Sequence, residues 1–129
     1  MFKKIMLTFI FLTLTTATLA ETCPSISQLK ENNFHGWEPY NSDSGEPLFP
    51  QQLTDFKKDV RQFLMAEWAE GAPEGESHCY YGDKNGNYMD AFLARHGFHD
   101  APSANWHNDG GFMRCKGEAG NCVFVEGGE

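Results

Sequence analysis

Apolar residues recur along this chain at two periods, and the change of period divides it into elements. After Pro50, whose fixed φ suits a first helical turn, Leu53, Phe56, Val60, Phe63, Leu64 and Trp68 follow at spacings of three and four. Asp55, Lys57, Lys58, Asp59, Arg61 and Gln62 fill the opposite side. The pattern predicts one amphipathic helix of about five turns at most. Its last part, Phe63 to Ala69, also fits an extended segment, because Phe63, Met65 and Ala66 do not decide between the periods.

Upstream, Ser25 to Glu31 predicts a short helix capped by Ser25, with Gln28 three residues on. Phe34 to Tyr40 alternates loosely, and Pro39 confines any strand there to a sheet edge. Asn41 to Pro50 has the composition of a loop, and Gly71 to Ser77 that of an acidic one. A hairpin follows, with Ser77 to Gly82 and Tyr88 to Arg95 flanking Asp83-Lys84-Asn85-Gly86-Asn87, where Asn85 and Gly86 both tolerate positive φ. His96 to Gly111 reads as loop, Phe112 to Cys115 and Cys122 to Val125 as two short strands, and Glu126 to Glu129 as a frayed tail.

These elements predict an α+β domain: one small antiparallel sheet of about four strands packed by one amphipathic helix. Trp37, Phe56, Phe63, Trp68, Tyr80, Phe92, Phe112 and Phe124 are its expected aromatic core.

The N-terminus changes where this domain begins. Lys3 and Lys4 precede an apolar run from Ile5 to Leu14, and Thr15 to Ala20 is a small-residue end with Thr18 and Ala20 placed for a signal peptidase. Residues 1–20 therefore read as a cleaved signal peptide and 21–129 as a single exported domain, periplasmic or secreted. The run is too short to span a bilayer and no second one follows, so no membrane insertion is expected after cleavage.

An oxidising compartment makes Cys23, Cys79, Cys115 and Cys122 a disulfide framework. The polar segment Lys-Gly-Glu-Ala-Gly-Asn can fold back and close Cys115 on Cys122, which leaves Cys23 to Cys79 by elimination. No Cys-x2-Cys pair points to zinc.

Composition makes the staples necessary. Between Glu21 and Glu129, 17 of 109 residues are Leu, Ile, Val or Phe, within the range of disordered chains. Fifteen aromatic side chains and the four cysteines oppose that reading. Without Lys3 and Lys4, eight basic side chains face eighteen acidic ones, a formal charge of −10. No basic stripe exists, which excludes nucleic-acid binding by phosphate neutralisation and leaves cationic protein partners open.

Candidate chemistry is sparse. Asp83-x-Asn85-x-Asn87 begins like a calcium loop, but an EF-hand would need Gly at Tyr88 and Glu at Ala94, and a turn explains the same residues. His96, His99 and His107 have donor types suited to zinc or copper and are the candidate metal ligands. No cofactor motif, nucleophile elbow or His-Glu-x-x-His is present. The carboxylate pairs Glu67 with Glu70 and Glu74 with Glu76 read as solvated acids.

The order of short landmarks resembles a family of small exported bacterial proteins classed as a domain of unknown function. The landmarks are Cys23-Pro24-Ser25, Gly36-Trp37, Phe63 to Trp68, Cys79-Tyr80-Tyr81, Trp106, Cys115 and Cys122-x-Phe124, with polar inserts at Glu38 to Pro50 and His96 to Asn105. The resemblance implies a disulfide-bonded, β-rich domain outside the cytoplasm and brings no catalytic residue. The expectation is a non-enzymatic accessory or binding protein. Its alternatives are an acidic inhibitor or immunity protein against a cationic enzyme such as a lysozyme or toxin, and a metal-binding protein using the three histidines.

Overall fold

The computed structural model describes residues 20–69, 76–101, 103 and 105–126 of the 129-residue chain. Residues 1–19 of the expected signal peptide, Glu70 and Glu74 with the acidic loop through residue 75, and residues 127–129 lie outside the described residues.

Among the described residues two α-helices and nine strands follow in order: β1 (Ala20–Thr22), α1 (Ile26–Lys30), β2 (Glu38–Asn41), α2 (Pro50–Asp59), β3 (Gln62–Ala69), β4 (Ser77–Gly82), β5 (Tyr88–Arg95), β6 (Phe98–Asp100), β7 (His107–Asp109), β8 (Phe112–Lys116) and β9 (Val123–Glu126). They form a six-stranded sheet in the order β2-β5-β4-β3-β8-β7 and a three-stranded sheet in the order β1-β9-β6. Every pairing among the described strands is antiparallel. The fold is thus more β-rich than one sheet of four strands under a helix.

Three local readings agree with the structure. Ser25 caps α1 through the amide of Gln28, whose side chain returns to the Ser25 amide at 2.8 Å. β2 lies at a sheet edge with Pro39 inside it. The β4–β5 hairpin turns where expected, although only Gly86 takes a positive φ, of 82°. Asp83 supplies the rest of the turn, its Oδ1 accepting the amides of Asn85 and Asn87 at 2.9 and 3.0 Å. That oxygen's work is the turn's, as the turn reading of this loop requires.

The long helix is corrected. α2 ends at Asp59, Val60 turns extended at ψ 133°, and the chain resumes as β3. No glycine or proline marks this boundary; tertiary pairing does. β3 is paired on both sides, to β4 along Gln62–Trp68 with an interruption at Leu64 and to β8 along Met65–Ala69, so its central residues have ladder partners on each edge. The reading of His96 to Gly111 as loop is also corrected, because β6 and β7 lie within it. Each has three residues, too few to display a period. Glu126 belongs to β9 rather than to a frayed tail.

One face of the large sheet is the core face. Ala66, Cys79, Tyr81, Leu93 and Cys115 are fully buried on it, together with Phe124 of β9, Trp37, Trp106, Leu29 of α1 and Phe56 of α2. Trp37 and Trp106 pack on Phe124 at 5.4 and 5.1 Å between ring centroids. Of the expected core, Trp37, Phe56 and Phe124 are buried, Phe63, Trp68, Tyr80 and Phe92 are half-buried, and Phe112 is exposed. Tyr81 takes the place given to Tyr80. Cys79 must face inward to reach Cys23, and the two-residue period of β4 then turns Tyr81 in and Tyr80 out.

Cys23 is bonded to Cys79 and Cys115 to Cys122, the connectivity drawn from the spacing. The sequence separations are 56 and 7 residues, for which loop-closure entropy gives about 4 and about 2 kcal/mol. Replacing Cys23 and Cys79 by Ser should therefore lower the urea midpoint about twice as far as replacing Cys115 and Cys122. Reducing both bonds in the native protein should abolish the cooperative transition. Equal losses from the two paired variants, or an unchanged melt in reductant, would refute this account.

Candidate functional site

The three candidate metal histidines are not brought together. His99 lies in the three-stranded sheet, its ring against Trp68 at 5.8 Å and its Nδ1 3.0 Å from the Asp100 carbonyl oxygen. His107 is exposed on β7, the far edge of the other sheet, and His96 lies beyond β5 with Nε2 3.4 Å from Glu76 Oε2. Among the described residues no three His, Cys, Asp or Glu side chains are arranged to hold a metal ion. The pairing of β6 with β9 and of β7 with β8 separates the ligands that the sequence places close together.

The outer face of the six-stranded sheet gathers a different set. In β3, Glu67 stands opposite His78 of β4 on one side and opposite Arg114 of β8 on the other. Glu67 is only 7% exposed, contrary to its reading as a solvated helix acid. Arg114 holds its Oε2 through Nε at 3.0 Å and Nη2 at 2.9 Å, and Nη1 of the same guanidinium reaches Asp109 at 2.9 Å. Tyr80 donates to Glu67 Oε1 at 3.1 Å. His78 Nδ1 lies 3.2 Å from the Tyr80 hydroxyl and 3.6 Å from Glu67, and its Nε2 is 2.8 Å from Glu76.

Opposing effects set the charges. Burial pushes the Glu67 carboxyl up, but hydrogen bonds from His78, Arg114 and Tyr80 outweigh it and hold the pKa below the usual carboxylate range. Burial pushes His78 down, while its bonds to Glu67 and Glu76 and their charges carry it above the ordinary histidine value. Burial, then the neighbouring Glu67 charge, raises Tyr80 out of the physiological range. The cluster therefore brings together a carboxylate held in its charged form, a guanidinium and a histidine whose protonated form is favoured, with Tyr80 as a neutral donor. Its members are bonded to one another, which suits a surface of set charge better than proton shuttling to a substrate.

Beside this cluster an aromatic strip crosses three strands. Tyr40 of β2 opposes Phe92 of β5, which opposes Tyr80 of β4. The rings follow at 5.9 Å and 5.9 Å with interplanar angles of 30° and 31°. His78 stands edge-on to Phe92 at 5.0 Å, and Tyr88, 57% exposed, extends the strip from Tyr80 at 6.1 Å. Glu38 accepts the Tyr40 hydroxyl at 2.9 Å, and that bond, with the charges of Glu38 and Glu76, raises the Tyr40 pKa. The strip was hidden in sequence because its members lie in three separate segments. Tyr80 is adjacent to Cys79, so it faces the side opposite the disulfide, which the expectation of a core Tyr80 overlooked.

The cluster gives the fold a pH signature. Glu67, lowered from 4.5, stabilises the fold above that value and ceases to do so as pH falls through its folded pKa. His78, raised from 6.5, stabilises the fold below that value and ceases to do so as pH rises through its folded pKa. The melting temperature should peak between these limits, and His78→Gln should remove its alkaline decline. A decline unchanged in His78→Gln would show that His78 is not its source.

No protein-family model, curated protein or solved structure matches the chain, so the arrangement of its own residues carries the functional reading.

Proposed function

We propose that this is an exported, non-enzymatic binding protein that holds a cationic protein partner on the outer face of its six-stranded sheet. Two disulfides support an oxidising location, and no helix among the described residues is long and apolar enough to cross a membrane. The observation that carries the reading is the aromatic strip and its acidic border. Half-exposed rings of Tyr40, Phe92 and Tyr80 lie with Glu38, Glu76 and the exposed Asp90 on strands β2, β5 and β4 or just beside them. Aromatic side chains supply contact area at little conformational cost and are enriched at protein interfaces.

A formal charge of −10 on residues 21–129 steers positively charged partners toward such a surface and speeds their encounter. The strip lies across a sheet, a form suited to a macromolecular surface, whereas small ligands are enclosed in concave pockets. Inhibition of a cationic enzyme is one use of the same face. The resemblance to small exported proteins of unknown function drawn from the landmark order is compatible with this reading and adds no activity to it.

Binding of purified cationic proteins, lysozyme among them, and of acidic controls to the disulfide-bonded protein tests the reading at low and high salt. Cationic proteins should bind at low salt, lose affinity at high salt, and bind at least about tenfold more weakly to Glu38→Gln/Glu76→Gln, a change of about 1.4 kcal/mol. Equal binding of acidic proteins, or indifference to the double substitution, would reject it.

A further inference from the structure

The same face points to the kind of cation it reads. Within the molecule, a guanidinium is twice placed between a carboxylate and an aromatic ring. Arg114 binds Glu67 and lies 4.9 Å from the Phe112 ring centroid. Arg95 lies 3.3 Å from Glu21 and 4.4 Å from the Phe98 ring centroid. At the Tyr40 end the outer strip repeats the carboxylate and the ring without the cation, whereas at the other end His78 stands edge-on to Phe92 and bonds Glu76. Tyr40 and Phe92 present stacked rings, Glu38 borders Tyr40, and Glu76 borders His78 at the other end.

We propose, resting on the binding reading above, that the Tyr40–Phe92–Tyr80 strip recognises arginine side chains presented at alternate positions of an extended segment of the partner. Three features select this occupant. Planar guanidinium stacks on aromatic faces and pairs with carboxylates in the same plane, whereas the compact, strongly hydrated lysine ammonium does so less well. Successive rings of the strip are 5.9 Å apart, close to the roughly 6.7 Å between side chains on one face of an extended chain. No Lys or Arg shares the outward positions of β2, β5 and β4 with the rings, since Arg95 faces the core side and stacks on Phe98. A neutral sugar would also use the ring faces and can donate hydroxyls to the carboxylates, but it gains nothing from their charge or from the net charge of the face.

The probes are short acetylated, amidated peptides in which Arg alternates with Thr, together with their Lys and Gln counterparts and a neutral oligosaccharide. Each is titrated into the isotopically labelled, disulfide-bonded protein, and the aromatic ring signals are followed by NMR. The Arg peptide should move the Tyr40, Phe92 and Tyr80 signals and bind about tenfold more tightly than the Lys peptide. The Gln peptide should leave those signals in place. Tyr40→Leu and Phe92→Leu, which keep an apolar side chain at each position, should each weaken the Arg peptide by about tenfold while the buried Trp37 and Trp106 signals stay dispersed.

If a variant loses that dispersion, Glu38→Gln/Glu76→Gln gives the same test without touching a ring and should also weaken the Arg peptide. Equal Arg and Lys affinities with ring variants that bind normally would overturn arginine recognition and leave a purely electrostatic face. Ring shifts from the oligosaccharide alone would overturn the choice of a cationic segment. No response to any cation at this face would overturn both this inference and the binding reading.

Discussion

The bond between Cys23 and Cys79 sets the phase of the central strand, and the rest of the architecture follows from that phase. Cys79 faces the core, so Ser77 and Tyr81 face it too, while His78 and Tyr80 face outward. Tyr81 uses its position fully: its hydroxyl donates to the Pro24 carbonyl at 2.7 Å, and its ring meets Phe56 of α2 and Phe63 of β3. The segment beside the disulfide is thus tied to β4 twice, once covalently and once by a buried hydrogen bond. Ser77 repeats the arrangement at the other end, donating to the Phe98 carbonyl of the small sheet at 2.7 Å. A register slip by one residue would bury His78 and expose Cys79, which the covalent bond forbids.

The same alternation builds the outer face. Because β3 lies between β4 and β8, Glu67 has a cationic or donor partner on each side, and its near-complete burial is offset by Arg114, Tyr80 and His78. A buried carboxylate without such partners would be strongly unfavourable. The charges are therefore held in place by the sheet, and the aromatic strip beside them borrows that rigidity. Preorganised charge and rings of this kind cost little entropy on binding.

Local signals were legible where a few neighbouring residues act on one another. The Ser25–Gln28 capping box and the Asp83–Asn87 turn depend on contacts within five residues, and the edge position of β2 on the missing N–H of Pro39 itself. The helix end at Asp59 was not legible, since Phe63 and Trp68 satisfy a helical stripe as well as the inner face of a strand. Its outcome depends on β4 and β8, which come later in the chain. Glu67 shows the same limit: its nearest acid in sequence is Glu70, yet the residue that decides its state is Arg114, 47 positions away.

The amino-acid sequence by itself determined an acidic, aromatic-rich chain with four cysteines, the pairing chosen by one short polar loop, and the turns and caps that local hydrogen bonds dictate. Only the tertiary structure decided which side of each strand faces the core, that His96, His99 and His107 lie apart, and that Glu67, His78, Tyr80 and Arg114 meet. The physical reason is that side-chain alternation has two possible phases along a strand. The phase is chosen by cross-strand pairing and by the Cys23–Cys79 bond, contacts between residues far apart in the chain.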